Sequence, residues 1–144
     1  MRTLLIVAVC LLLAGEGQDD TVKEDLKKLQ GKWLVVAVEA EGNKLPADKV
    51  KGELVFTGNR YAFKAGADES GEGTFTIDPS KKPKHMDATP KGGPLDGKVV
   101  PEIYDLEGDS LKLCFPTTVL KRPTEFKADA GSGQILVTYK REKK

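Results

Sequence analysis

The feature that most restricts what this chain can fold into is a change of period at Lys32. Between Thr21 and Leu29 the apolar residues Val22, Leu26 and Leu29 recur at helical spacing. From Lys32 onward the spacing is that of strands instead, in short runs parted by turn chemistry: Trp33 to Val38 is apolar on both faces, as in a strand covered on both sides, and several later runs alternate apolar with polar residues. Phe75 and Ile77 oppose Thr74 and Thr76. Leu111, Leu113 and Phe115 oppose Ser110 and Lys112, with Cys114 on that second face. Ile135, Val137 and Tyr139 alternate with Leu136, Thr138 and Lys140. A period of two sends successive side chains to opposite faces of a strand.

The strands predicted on this basis are Trp33 to Val38, Leu54 to Phe56, Tyr61 to Phe63, Gly73 to Ile77, Lys84 to Thr89, Lys98 to Asp105, Ser110 to Phe115, Thr124 to Ala128 and Gln134 to Arg141. Gly58-Asn59 joins two of them as a hairpin, because Gly tolerates the positive φ of a tight turn. Pro101 cannot donate a ladder hydrogen bond and marks an edge or a bulge. The Pro/Gly-rich stretch Asp87 to Gly97 reads as a long hairpin connection and as a rim over one end. Many short strands in series argue for an all-β fold, an antiparallel up-and-down meander of about 8–9 strands that closes on itself behind one short N-terminal helix. Closure removes exposed sheet edges. The helix carries a Thr21/Glu24 capping box, turns Lys23, Asp25, Lys27 and Lys28 to water, and ends at Gly31.

Ahead of that helix stands a pattern read as a secretory signal. Arg2 is the positive n-region, Leu4 to Ala14 are uncharged and apolar, and small residues follow at Ala14, Gly15 and Gly17. The apolar run is too short to cross a bilayer. Residues 1–17 are therefore expected to be a signal peptide, cut after Gly17 or, as runner-up, after Ala14, leaving 18–144 as a single domain of an exported, periplasmic or extracellular protein. Val9 and the apolar residues beyond Cys10 argue against lipidation there. Only Cys114 then remains, so no internal disulfide can form. A formal net charge of +1 points to neither nucleic acid nor an acidic partner. No membrane span is expected in the mature chain, and a monomer is.

The opening of the first strand, Gly31-Lys32-Trp33, resembles the Gly-x-Trp signature of lipocalins and related calycin barrels. That resemblance implies a Trp packed across the closed end, with a basic residue of the last strand against its ring. Arg141, with Lys140 as second choice, is the residue that fits. A longer set of segments resembles one family of small exported domains expanded in planctomycete bacteria, whose members have no established activity. These are Leu29 to Trp33, Leu54 to Gly58, Asp78 to Lys84, Ile103 to Leu106, Arg122 to Phe126 and Gly131 to Gln134. Its implications are a lipocalin-like barrel and export, with no catalytic residue.

Gly108-Asp109-Ser110-Leu111 spells the block that names one lipase and esterase family, but here it comes late and leads into a strand. The single histidine, His85, lies upstream of it, so Ser110 lacks the downstream base that activates such a nucleophile. A Gly-Asp turn explains the block better. His85 and Asp87 fall short of a metal ligand set. Cys114 reads as a small buried hydrophobe. The basic groups Lys81-Lys82-Lys84 and Lys140-Arg141-Lys143-Lys144 read as solvated charge. No catalytic residue, cofactor or metal site is expected.

What remains is a non-catalytic binding protein that holds a small apolar ligand in the barrel, its cavity lined by Phe63, Phe75, Ile77, Leu113, Phe115, Phe126 and Val137. The alternative is a filled barrel that docks to, or inhibits, another exported protein.

Overall fold

In the computed structural model, which describes residues 20–46 and 48–143, one helix precedes nine antiparallel strands. The helix, α1, spans residues 20–29. The strands are β1 (Gly31–Ala40), β2 (Asn43–Pro46), β3 (Gly52–Thr57), β4 (Arg60–Ala65), β5 (Glu69–Asp78), β6 (Lys84–Lys91), β7 (Val100–Glu107), β8 (Ser110–Pro116) and β9 (Gln134–Arg141). Each strand from β3 to β9 pairs with the next, and β1 pairs with both β3 and β9, so eight strands close into a barrel. The short β2 pairs with β1 alone and lies outside the ring. No helix among the described residues is long and apolar enough to cross a membrane. The signal-peptide reading of residues 1–17 falls outside the described residues.

A bulge in β1 makes the closure work. Its first residues, Gly31 to Leu34, pair with β3, while Ala37 to Ala40 pair with β2, and the register against β9 shifts between Val35 and Ala37. The extra residue, Val36, resets the alternation. Val35 and Val38 can thus both pack on the inner core although they are three apart.

The registers define two poles. At one lie α1, the β3–β4, β5–β6 and β7–β8 turns and the end of β9; at the other lie the β4–β5, β6–β7 and β8–β9 connections. The first pole is plugged. Leu29 of α1 and Trp33 are fully buried among Leu54, Phe56, Phe75, Leu111 and Tyr139. Trp33 Nε1 donates to the carbonyl of Leu29 at 2.8 Å, and the Arg141 guanidinium carbon stands 4.2 Å from the centre of the Trp33 ring. Arg141 also donates to the carbonyls of Gln30 and Lys28. One side chain therefore satisfies carbonyls that the helix end leaves unpaired and complements the negative end of its dipole.

Several expectations are corrected. Asp25 does not face water: it is buried, accepting hydrogen bonds at 2.8 Å from both Tyr104 Oη and Lys84 Nζ. The helix lies across the barrel end, so a residue on its flank meets the β6 and β7 termini. Thr124 to Ala128 are not a strand. They belong to the long β8–β9 connection, residues 117–133, which folds back over the outside of the wall. Its Ala128 joins Ile103, Cys114 and Leu136 of the wall in a second, outer core, with Phe126 packed against it. The strand series had no room for Thr124 to Ala128, because β8 and β9 already pair with each other over seven residues. Asp87 to Lys91 are part of β6, so the β6–β7 connection shortens to residues 92–99.

Candidate functional site

The inner wall is largely apolar, and it carries one buried glutamate. Along β7, Tyr104 and Leu106 pack into the inner core, whereas Ile103 points into the outer one. Alternation therefore turns Glu102 inward, and its register partner on β6 is the inner-core residue Met86. Glu102 is only 8% exposed. Its carboxyl group makes no hydrogen bond or ion pair among the described residues. No side-chain nitrogen or oxygen is left both sealed and unpartnered, so the Glu102 oxygens border space that a water molecule can reach.

Three phenols share that interior, and one of them, Tyr104, is committed to Asp25. Tyr61 of β4 and Tyr139 of β9 both pack on the inner core. Burial is the main cause that raises each hydroxyl, Tyr61 to about 12, and the Glu102 charge raises both further. Burial likewise pushes the Glu102 carboxyl up to about 8; the Asp87 carboxylate adds to this and the Arg122 guanidinium opposes it. Arg122 cannot neutralise Glu102 directly. It lies in the 117–133 cover, where it donates to Asp87 Oδ1 at 2.6 Å and to the backbone carbonyls of Glu102 and Met86.

Two glycines of β5 place the β4 aromatics. Tyr61 pairs with Gly73 and Phe63 with Gly71. A Cβ on Gly71 would sit 2.5 Å from the Phe63 ring, and one on Gly73 would sit 2.8 Å from the Tyr61 hydroxyl and 2.3 Å from the Thr89 carbonyl oxygen. The rings lean over bare backbone, an arrangement that any side chain at these positions would prevent.

The seven residues proposed to line a cavity divide as follows. Phe75, Leu113 and Val137 are buried in the inner core, and Ile77 and Phe115 pack partly buried against it. Phe63 has the inward register but lies towards the second pole and is 39% exposed. Phe126 is not in the lumen, because its segment is the outer cover. Sequence reasoning missed Glu102, Tyr61 and Tyr139. The phase of Val100, Tyr104 and Leu106 was the available signal for Glu102, and Ile103 between them obscured it.

The barrel wall itself offers little. A wide-open cleft of about 460 Å³ lies where β1 parts from β3, rimmed by Lys51, Glu53 and Lys64. A smaller one of about 240 Å³ lies between β2 and residues 126–129. Ser110 pairs with Glu107 and Lys140, whereas His85 pairs with Asp78 and Ile103, and no hydrogen bond joins the two. Among the described residues no group of three or more His, Cys, Asp or Glu is placed to hold a metal. Cys114 is buried under the cover, its thiol facing the carbonyls of Glu125 and Lys127. Compared with known proteins, the chain matches no family model, no curated protein and no solved structure.

Proposed function

We propose that this chain is an exported, non-catalytic, monomeric binding barrel that holds one small, largely apolar ligand in the unplugged half of its lumen. The observation that carries this reading is Glu102: a buried carboxyl group without a hydrogen-bond or ion-pair partner among the described residues, on the inward face of a barrel one end of which is filled. Buried polar groups are normally satisfied within the fold, and a barrel of about eight strands has room for side chains or for one small ligand. Phe115 and Phe63 supply apolar surface on the inward face beyond Glu102. Export rests on the amino-terminal sequence pattern.

An apolar fluorescent probe is expected to bind the folded protein at low micromolar concentration, and Phe115→Ser to abolish that binding while circular dichroism still reports a folded barrel. A folded protein that binds no such probe refutes the reading and turns attention to docking on another protein. The surface to mutate first would then be Lys81 and Lys82, since Lys84 is already held by Asp25 at 2.8 Å.

A further inference from the structure

Where β1 leaves β3 the wall of the barrel opens sideways. The two strands pair only as far as Leu34 with Glu53, and beyond the bulge β1 turns to β2. A tight turn, in which the Lys49 and Val50 amides both donate to the Pro46 carbonyl, brings the chain back towards β3. The cleft of about 460 Å³ left at this parting has an apolar floor of Leu34, Val35 and Val50. Gly52 keeps that floor low, since a Cβ there would stand 3.1 Å from Val35 Cγ2 and 3.0 Å from the Lys64 carbonyl oxygen. Gly66 keeps the rim open, since a Cβ there would meet nothing within 4 Å.

We propose that this cleft binds a medium-chain carboxylate, its acyl chain on Leu34 and Val50 and its carboxylate between the Lys51 and Lys64 ammonium groups. The site lies in the side wall, so the inference goes beyond the lumen reading and does not depend on it.

Size, surface and charge carry it. The space falls within the range of roughly 300–1,000 Å³ that small-molecule sites occupy. Leu34 follows inward Trp33 on β1, so it faces outward, and it is 38% exposed. Exposed apolar surface with a polar rim is the usual mark of a ligand groove. Charge then selects the head group. Of the charged side chains that line the cleft, Glu53 is already paired with Lys32 at 3.3 Å. Lys51 and Lys64 have no ion pair among the described residues. They stand on neighbouring strands, Lys64 opposite Glu53 in register and Lys51 two residues before it. Their methylene stems extend the apolar wall while their ammonium groups reach the head. A cationic head would meet two like charges, and a neutral one would leave both without a partner.

The test is titration of the ¹⁵N-labelled full chain with octanoate, octanol and octylammonium, followed by amide shifts in nuclear magnetic resonance. Octanoate is expected to shift the amides of Leu34, Lys51, Gly52 and Lys64. It is expected to bind at least about fivefold more tightly than either of the others, because two exposed ion pairs each contribute modestly. Salt at about 1 M should remove most of that preference. Lys51→Gln combined with Lys64→Gln is expected to abolish it, and Leu34→Ser to weaken octanoate and octanol alike. All three side chains are exposed, so the barrel should keep its fold. Equal binding of the three, preference for octanol or octylammonium, or no shift at all overturns the site. Shifts confined to lumen residues such as Leu113 and Phe115 overturn it too, and leave the lumen reading standing. Phe115→Ser is expected to leave octanoate binding unchanged, so the two readings fail separately.

Discussion

At Glu102 burial and ionisation oppose each other, and stability must report it. In the unfolded chain this carboxyl titrates near the ordinary value of about 4.3; in the fold it titrates near 8. Below the unfolded value both states are protonated and the fold bears no penalty. As pH rises towards 8, the unfolded chain ionises while the folded one does not, and the fold loses stability by up to about 1.4 kcal/mol per pH unit. We expect urea melts of the ligand-free protein to show a loss of a few kcal/mol on this account between about pH 5 and pH 8, and Glu102→Gln to flatten that slope. The same experiment on Trp33→Ala should show a cost of about 3–5 kcal/mol. Arg141→Ala should cost about 2 kcal/mol, since it removes charged hydrogen bonds to two carbonyls as well as the ring contact. Trp33 and Arg141 could be named from the sequence because a short motif resembles a known one. Glu102 could not, because its direction depends on the phase of a single strand in which Ile103 and Tyr104 are both apolar and adjacent.

Among the elements, the cover over residues 117–133 is the one that the sequence disguised. Thr124-Glu125-Phe126-Lys127-Ala128 alternates as a strand does, and alternation records only that one side is buried. What it packs on is a sheet face, and no edge was free to pair with it. The strand β2 was hidden for the opposite reason. Asn43-Lys44-Leu45-Pro46 has no alternation to detect, and is held by the tight Glu41-Gly42 turn, both of whose residues have positive φ. The cover yields its own prediction. Arg122 fastens it to β6 and β7, and Cys114 lies beneath. Under native conditions Cys114 should react slowly with a thiol reagent such as dithionitrobenzoate. Arg122→Ala should speed that reaction by about tenfold or more, because local opening then costs less. An unchanged rate would show that the apolar contacts of Ala128 and Phe126 hold the cover unaided.

The molecule as a whole closes through its two most distant strands, β1 and β9, joined by the registers Trp33 with Arg141 and Ala40 with Ile135. Contacts so far apart in sequence make folding slow. Trp33 sits on this seam, and its fluorescence should change with the seam's formation. Refolding followed by fluorescence and by far-UV circular dichroism is expected to give one shared phase on the millisecond-to-second scale; a faster dichroism phase would mean that strands pair before the ring shuts. This closed architecture was legible in the residues, since one strand pattern repeated along the chain leaves few ways to hide its edges. The interior chemistry was not, because Tyr61, Glu102 and Tyr139 come from three separate strands and share one interior only once the ring exists.

The plugged pole also sets a direction for handling the molecule. The first described helix crosses that end, Arg141 holds the carbonyls of Lys28 and Gln30, and the Glu142 amide donates to the Lys32 carbonyl. Both ends of the described chain therefore emerge at one pole, opposite the β4–β5, β6–β7 and β8–β9 connections. A bead, a sensor surface or a fused fluorescent protein attached at either end would leave the second pole facing solution. A short peptide joining the two ends would seal the molecule head to tail without crossing the second pole, and new ends could be opened in the β4–β5 turn to turn that pole towards the support instead.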